Sequence, residues 1–417
     1  MLSTSSARSF SALDLGVTKV ADDVLWIGVN DWDLREFHSM QSPVGTSYNS
    51  YLIQSSEPTI VDAVKYTMAH AWIDRLKSIG GDDLKGIKRI IVQHAEPDHS
   101  SGTAMLVKEA PHIEVVMTKQ CYNTMARFYD VSKWNVKIVK LGEKINLGDR
   151  VAVMAGVPMA HWPESAVTYL PAQKILFSSD CFGQHIASNK RFVDEVDQGL
   201  FLTEIKSYYA NILQRLGKPV LKALATASKL PGLDIVLPAH GVGFRRKEDL
   251  EQAIKLYTQW ATYKPNPKVS VIYDCNWYGT EKMAEAVASG ICKEKLECIM
   301  MNARKTHITR SATEVMDSAA VAFGSSTLHE CILPDIAMHL NYLRCLGIHD
   351  KPVGLFGTFG WQEKIVPNEL RNAIVKPCKI PEVAEPVMAH WNPKEADLAK
   401  CEELGRKLAL AAIEKCK

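Results

Sequence analysis

Short apolar runs set between polar turns dominate the chain before His240, and their β-branched residues follow the pattern of strands. Segments near Asp23 to Val29, Ser50 to Ile53, Thr59 to Val64 and Ile87 to Val92 read this way. Val151 to Met154, Lys174 to Ser179 and Leu233 to Ala239 repeat the pattern further on. With helices interspersed, the layout predicts an αββα sandwich of the α/β class. A helix-like stretch from Lys247 to Trp260 then meets Tyr263-Lys264-Pro265-Asn266-Pro267, which cannot continue it. This break sets a domain boundary near residue 265, giving domains 1–265 and 266–417.

Beyond the break, strands at Val269 to Tyr273, Ala320 to Phe323 and Val353 to Phe356 alternate with helical runs, the first of them Lys282 to Cys292. Strand-to-loop exits alternating with helices predict a flavodoxin-like, doubly wound parallel sheet. The last segment, Lys394 to Lys417, sets Ala396, Leu398, Leu404 and Leu408 among many charges, as an amphipathic surface helix does.

Composition agrees with two domains, since 417 residues exceed a single core and 47% are hydrophobic. A net charge of +2 gives no footprint for nucleic acid or an anionic membrane. No run approaches the ~20 apolar residues of a spanning helix, and no apolar core follows Met1 to Arg8. The Ser-rich, acid-free start Met1 to Ser9 reads as a floppy terminus more than as a transit peptide. Ten cysteines without any Cys-x-x-Cys are read as reduced thiols, which places the chain in the cytoplasm.

The densest chemistry follows the strand Ile87 to Val92. There Gln93-His94-Ala95-Glu96-Pro97-Asp98-His99-Ser100-Ser101-Gly102 puts two imidazoles and two carboxylates within six residues. Divalent metals favour this mixture of nitrogen and oxygen donors. Three later strands or turns end on further candidates: His161, Asp180 and His240. Seven donors exceed the roughly four of one tetrahedral ion and suit two ions sharing a carboxylate.

The order and spacing of His94, Glu96, Asp98, His99, His161, Asp180 and His240 resemble the metallo-β-lactamase superfamily, with Glu96 where that signature has His. A second carboxylate makes the cluster more oxygen-rich and favours iron over zinc. In this form the chain resembles the flavodiiron proteins (A-type flavoproteins) over nearly its whole length. The resemblance implies that His94, Glu96 and His161 hold one iron, that Asp98, His99 and His240 hold the other, and that Asp180 bridges. It also places His38 and Tyr208 near the irons without making them ligands.

Three loops of the second domain suit FMN. The turn Asp274 to Glu281 leads into a helix, where backbone N–H groups and the helix dipole favour phosphate; Asn276, Trp277 and Thr280 lie there. Gly324 to His329 supplies Ser325, Ser326, Thr327 and Leu328; Gly357 to Gln362 supplies Thr358, Phe359, Gly360, Trp361 and Gln362. Trp277, Phe359 and Trp361 can stack on or shield a flat isoalloxazine ring. Cys275 stands where the related loops carry a hydroxyl and is a poorer donor.

A flavin holding two electrons and a pair of ferrous ions holding two more match the four needed to reduce O2 to two waters. Two electrons suffice to couple two NO into N2O and water. The resemblance therefore implies an oxidoreductase that reduces O2, with NO reduction as the alternative; a dizinc hydrolase carrying an appended flavodoxin domain is a lesser rival. Without two Cys-x-x-Cys pairs, the electrons are expected from an external donor: a rubredoxin-like protein, a flavoprotein reductase or a reduced deazaflavin. The resemblance further implies a head-to-tail homodimer or a tetramer built from two such dimers.

Overall fold

The computed structural model describes residues 16–417, so the Met1 to Ser9 segment lies outside the described residues. Two compact units emerge. The first comprises residues up to Phe37, Ser42–Ile205 and Lys218–Lys255; the second comprises His38–Gln41, Lys206–Gly217 and Leu256–Lys417.

The first unit contains a seven-stranded sheet in the spatial order Thr18–Ala21, Val24–Trp26, Tyr51–Ile53, Thr59–Val61, Arg89–Ile91, Glu114–Thr118 and Val136–Val139. Its early strands pair antiparallel, and pairing turns parallel from Thr59–Val61 onward. A five-stranded sheet follows, running Lys144–Asn146, Val151–Gly156, Ala166–Leu170, Ile175–Ser179 and Ile235–Pro238.

Alternation along each strand distributes the core. Ile91 and Val116 face inward between the sheets with Met154, Phe177 and Leu237, whereas their neighbours Ile90 and Val115 pack outward against Trp72, Leu76 and Leu106. Burial on both faces is why Ile90 to Val92 reads as a continuous apolar run rather than an alternating one. Each such side chain contributes roughly 1.5–3 kcal/mol by leaving water. The result is the αββα sandwich.

The second unit is a parallel sheet ordered Glu297–Asn302, Asn266–Tyr273, Ser318–Leu328, Val353–Phe359 and Val387–His390, with Cys331–Ile332 folded back on the third of these strands to reach it. Numbered along the chain, the parallel strands stand 2-1-3-4-5, the flavodoxin order, which opens a crevice where the winding reverses. The sheet begins earlier than the sequence suggests. Its first strand starts at Asn266, inside the Pro-punctuated break, and a register irregularity before Val269 accommodates Pro267.

Helix Glu395–Lys415 buries Cys401, Leu404, Leu408, Ala409 and Ala412, while Ala396 from the expected apolar set is exposed. It crosses helix Gly279–Lys293 at two glycines: a Cβ on Gly405 would strike the Val287 carbonyl, and one on Gly290 would strike that of Glu402. Among the described residues, no helix is long and apolar enough to cross a membrane.

Candidate metal centre and flavin cleft

The metal-ligand candidates are fixed by the loop after Arg89–Ile91. Asp62, itself held at a left-handed φ of 55°, accepts from Gln93 N at 2.9 Å and from Gln93 Nε2 at 2.7 Å. Glu164 accepts from Ala95 N at 3.2 Å, so the peptides on both sides of His94 are pinned by buried carboxylates. Helix Pro97–Glu109 starts at once, with Pro at its first turn and Glu96 at the N-cap position, where its carboxylate makes no cap bond. Gly102 lets this helix approach the Ala63–Val64 backbone; a Cβ there would lie 2.6 Å from the Val64 carbonyl. Asp62, at the end of a strand, reads in the sequence as an acid that hydrogen-bonds nearby backbone rather than a ligand, and it does so; Glu164 does not stand out in the sequence.

The structure brings all seven candidates together as two groups: His94, Glu96, His161 and Asp180, and then Asp98, His99 and His240. Within the first, His161 Nε2 lies 2.8 Å from Glu96 Oε2 and 2.9 Å from Asp180 Oδ2, and His94 Nε2 lies 3.2 Å from Asp180 Oδ2. Within the second, Asp98 Oδ2 is 3.1 Å from both His99 Nε2 and His240 Nε2. Asp180 Oδ1 reaches towards this second group, 3.2 Å from His99 Nε2.

These short distances are mostly not hydrogen bonds. His94 Nε2, His99 Nε2, Asp180 Oδ1 and both Asp98 oxygens are buried without a hydrogen-bond partner. Lone pairs that converge without aligning on one another fit shared cations, because leaving them unpaired is otherwise costly. The outer nitrogens support the same tautomers: His240 Nδ1 donates to the Ser47 carbonyl at 2.7 Å, and His94 Nδ1 lies 3.2 Å from the Ser179 hydroxyl. With Nδ1 so engaged, Nε2 of His240 presents its lone pair inward.

Electrostatics point the same way. Burial drives the His94 imidazole down, but Asp180 and Glu96 outweigh it and raise it to about 10. His161 is raised to about 9 against burial by the same two carboxylates. Asp98 and Asp180 are held below the usual carboxylate range, against burial, by His99 and its neighbours. Three carboxylates and four imidazoles with no thiolate form a donor set suited to iron and able to neutralise most of two divalent charges.

His38 is exposed and Tyr208 is almost fully buried at the end of helix Gln198–Tyr208. Both belong to the second unit, outside the two donor groups. His185 is buried with its ring centroid 5.0 Å from that of His240, and its Nδ1 lies 2.8 Å from the Thr46 hydroxyl.

In the second unit the three expected loops meet at a cleft of about 420 Å³. Asn276, Trp277, Ser326, Thr327, Thr358, Phe359, Gly360 and Trp361 line it. Thr280 lies buried behind them, its hydroxyl 2.9 Å from that of Ser326 and 3.0 Å from that of Thr358. Three hydroxyls thus converge at the start of a fifteen-residue helix, where free backbone N–H groups favour an anion. Ser325, Leu328 and Gln362 do not line the cleft. The Ser325 hydroxyl instead accepts from Leu333 N and donates to the Ser326 carbonyl, bracing its own loop.

Gly279, Trp391 and Asn392 also line the cleft, and sequence reasoning missed them. Trp391 follows the short strand Val387–His390 and packs edge-on to Trp361 with ring centroids 5.3 Å apart. Arg304 anchors the first loop, with Nε 2.7 Å from the buried Asp274 and its other nitrogen donating to Asn276 Oδ1 at 2.7 Å.

A metallo-β-lactamase-like sandwich carrying a two-group donor pocket, with a flavodoxin-like domain on the same chain, defines a class, and comparisons with known proteins agree. Residues 46–241 match the family described as "ODP family beta lactamase". The chain is 35% identical to a nitric oxide reductase of Moorella thermoacetica over 94% of its own length and 97% of the relative's. It is 33% identical to the rubredoxin-oxygen oxidoreductase of Megalodesulfovibrio gigas, over 82% of this chain and 86% of that one. The crystal structure of the flavodiiron protein from Giardia intestinalis superposes with a TM-score of 0.91 at 34% identity, covering 96% of this chain and 97% of the other. The chain belongs to the flavodiiron protein family and is an oxidoreductase.

Proposed function

We propose that the protein reduces O2 to water at a diiron centre supplied with electrons by FMN, with NO reduction to N2O as a second activity of the same site. The observation that carries this reading is the position of Asp180, whose two oxygens reach separate halves of one buried donor pocket.

In this reading His94, Glu96 and His161 hold one iron, Asp98, His99 and His240 hold the other, and Asp180 bridges. Bound ferrous iron and reduced FMN together supply four electrons, the number that converts O2 to two waters. The chain's own contribution is positional. Asp62 and Glu164 fix the His94 loop, Ser47 fixes the His240 tautomer, and the sheet cores hold both rigid, so little reorganisation accompanies charge change.

The FMN phosphate is assigned to Thr280, Ser326 and Thr358, and its ring to the cleft flanked by Trp277, Phe359, Trp361 and Trp391. His38 and Tyr208 are assigned to the surroundings of the irons. Residues 1–265 form the diiron domain and 266–417 the FMN domain. Electrons enter from a separate donor: a rubredoxin-like protein, a flavoprotein reductase or a reduced deazaflavin. The assembly is a head-to-tail homodimer or a tetramer of two such dimers, working in the cytoplasm. Membership among reductases removes the ground for the dizinc hydrolase alternative.

Stopped-flow mixing of the fully reduced protein with each gas tests the substrate choice. Faster and complete reoxidation by O2 is expected; faster and complete reoxidation by NO would reverse the assignment.

A further inference from the structure

The strand Thr46–Tyr48 does more than support the fold around His240. Its Ser47 carbonyl takes the His240 Nδ1 proton, and its Thr46 hydroxyl lies 3.4 Å from the same nitrogen. Tyr48, at the end of this strand, is 0% exposed and meets the His240 ring edge-on, with centroids 5.8 Å apart at 64°. Its hydroxyl nevertheless has no hydrogen-bond partner.

That combination is unusual in physical terms. A buried hydroxyl without a partner is destabilising, and phenylalanine would fill the same space without that cost. Packing alone therefore gives no reason for the oxygen. The edge-on contact sets the phenol ring against a member of the second donor group, His240. In that same group both Asp98 oxygens also lack hydrogen-bond partners. An unsatisfied buried donor on a residue that touches a group with unsatisfied acceptors suits a guest bound in that group. Gln93 Oε1, another unpartnered buried atom close in sequence to the ligands, is an acceptor and cannot serve an anion.

We propose that the Tyr48 hydroxyl donates a hydrogen bond to an oxygen or small anion held in the Asp98–His99–His240 half of the pocket, making Tyr48 a substrate-binding residue of the centre. The inference rests on the diiron reading given above. It assigns the two halves different tasks, since a single fixed donor on one side gives an incoming diatomic molecule or its reduced oxygen a preferred orientation.

Azide titration of the iron-loaded, oxidised protein, followed by its charge-transfer absorption, tests this together with melting of the iron-free chain. Tyr48→Phe is expected to keep two irons per chain and to bind azide about tenfold more weakly, as loss of one hydrogen bond to an anion entails. The iron-free variant is expected to melt at or above the wild-type temperature, because an unpaired hydroxyl has been removed. Replacing Tyr48 with 3-fluorotyrosine, which keeps the ring and strengthens the donor, is expected to tighten azide binding at least about twofold. Unchanged azide affinity in either variant with both irons present overturns the proposal, as does an iron-free Tyr48→Phe chain that melts well below wild type. A wild-type chain that takes up no iron overturns this inference and the diiron reading together, and metal analysis separates that failure from one confined to Tyr48.

Discussion

Asp180 Oδ1 lies 3.2 Å from His99 Nε2, and neither atom is in a hydrogen bond. Two buried groups at that separation that do not align on each other are directed at a common centre, and the other oxygen of Asp180 lies 3.2 Å from the unpartnered His94 Nε2 while hydrogen-bonded to His161 Nε2 at 2.9 Å. Asp180→Asn keeps the shape and removes the charge shared by the two halves. The variant is expected to fold with unchanged circular dichroism and to hold fewer than two irons per chain, with affinity at the weaker site reduced at least about tenfold. Full iron loading in this variant would contradict the bridging role.

Thr280 lies where its hydroxyl meets those of Ser326 and Thr358. Thr280→Val removes one donor to the phosphate without changing side-chain size. FMN affinity, followed by the quenching of flavin fluorescence, is expected to fall roughly tenfold or more, the value of a hydrogen bond to a charged group. Iron content is expected to stay at the wild-type level, since Thr280 belongs to the other unit.

The helix crossing at Gly405 gives a stability prediction free of cofactor effects. A methyl group there overlaps the Val287 carbonyl, so Gly405→Ala forces helix Glu395–Lys415 away from helix Gly279–Lys293. The cost is expected to be about 1–3 kcal/mol, seen as a lower melting temperature of the second unit. A variant that melts at the wild-type temperature would show that the crossing has slack.

Glu204 is buried on helix Gln198–Tyr208, and burial raises its carboxyl from 4.5 to about 7. Between those values the folded chain holds a proton that the unfolded chain releases, so this group's contribution to stability falls as pH rises through the window. Above about pH 7 the full cost of the buried charge is present. Glu204→Gln is expected to flatten that slope and to raise stability at pH 8 by up to about 3 kcal/mol, given ~1.4 kcal/mol per pKa unit. Urea unfolding at pH 5 and pH 8 checks the sign; a variant less stable than wild type at pH 8 refutes it.

Much of the site is legible in the sequence because its donors stand at the ends of strands. His94 to His99 cluster within one turn and a helix start, and Asp180 and His240 each close an apolar run, so periodicity exposes them. Residues that act through the backbone are less legible. Asp62 is legible as a strand-end acid that binds backbone, but its partner, the Gln93 N–H, is brought near only by folding, and nothing in the local sequence of Glu164 signals its bond to Ala95 N. Ser325 and Leu328 belong to the strand Ser318–Leu328 that also carries the cleft residues Ser326 and Thr327, and Gln362 follows the cleft residue Trp361, so proximity in sequence does not by itself carry a side chain into the cleft. Trp391 and Asn392 follow a four-residue strand too short for periodicity to reveal. The early start of the second sheet at Asn266 was hidden by Pro267, which an irregular register accommodates.

The central claim is a pair of irons and an FMN on one chain, and elemental and flavin analysis after anaerobic reconstitution tests it most directly. Two irons and one FMN per chain are expected. Two zincs, or a colourless protein holding neither iron nor flavin, would contradict it.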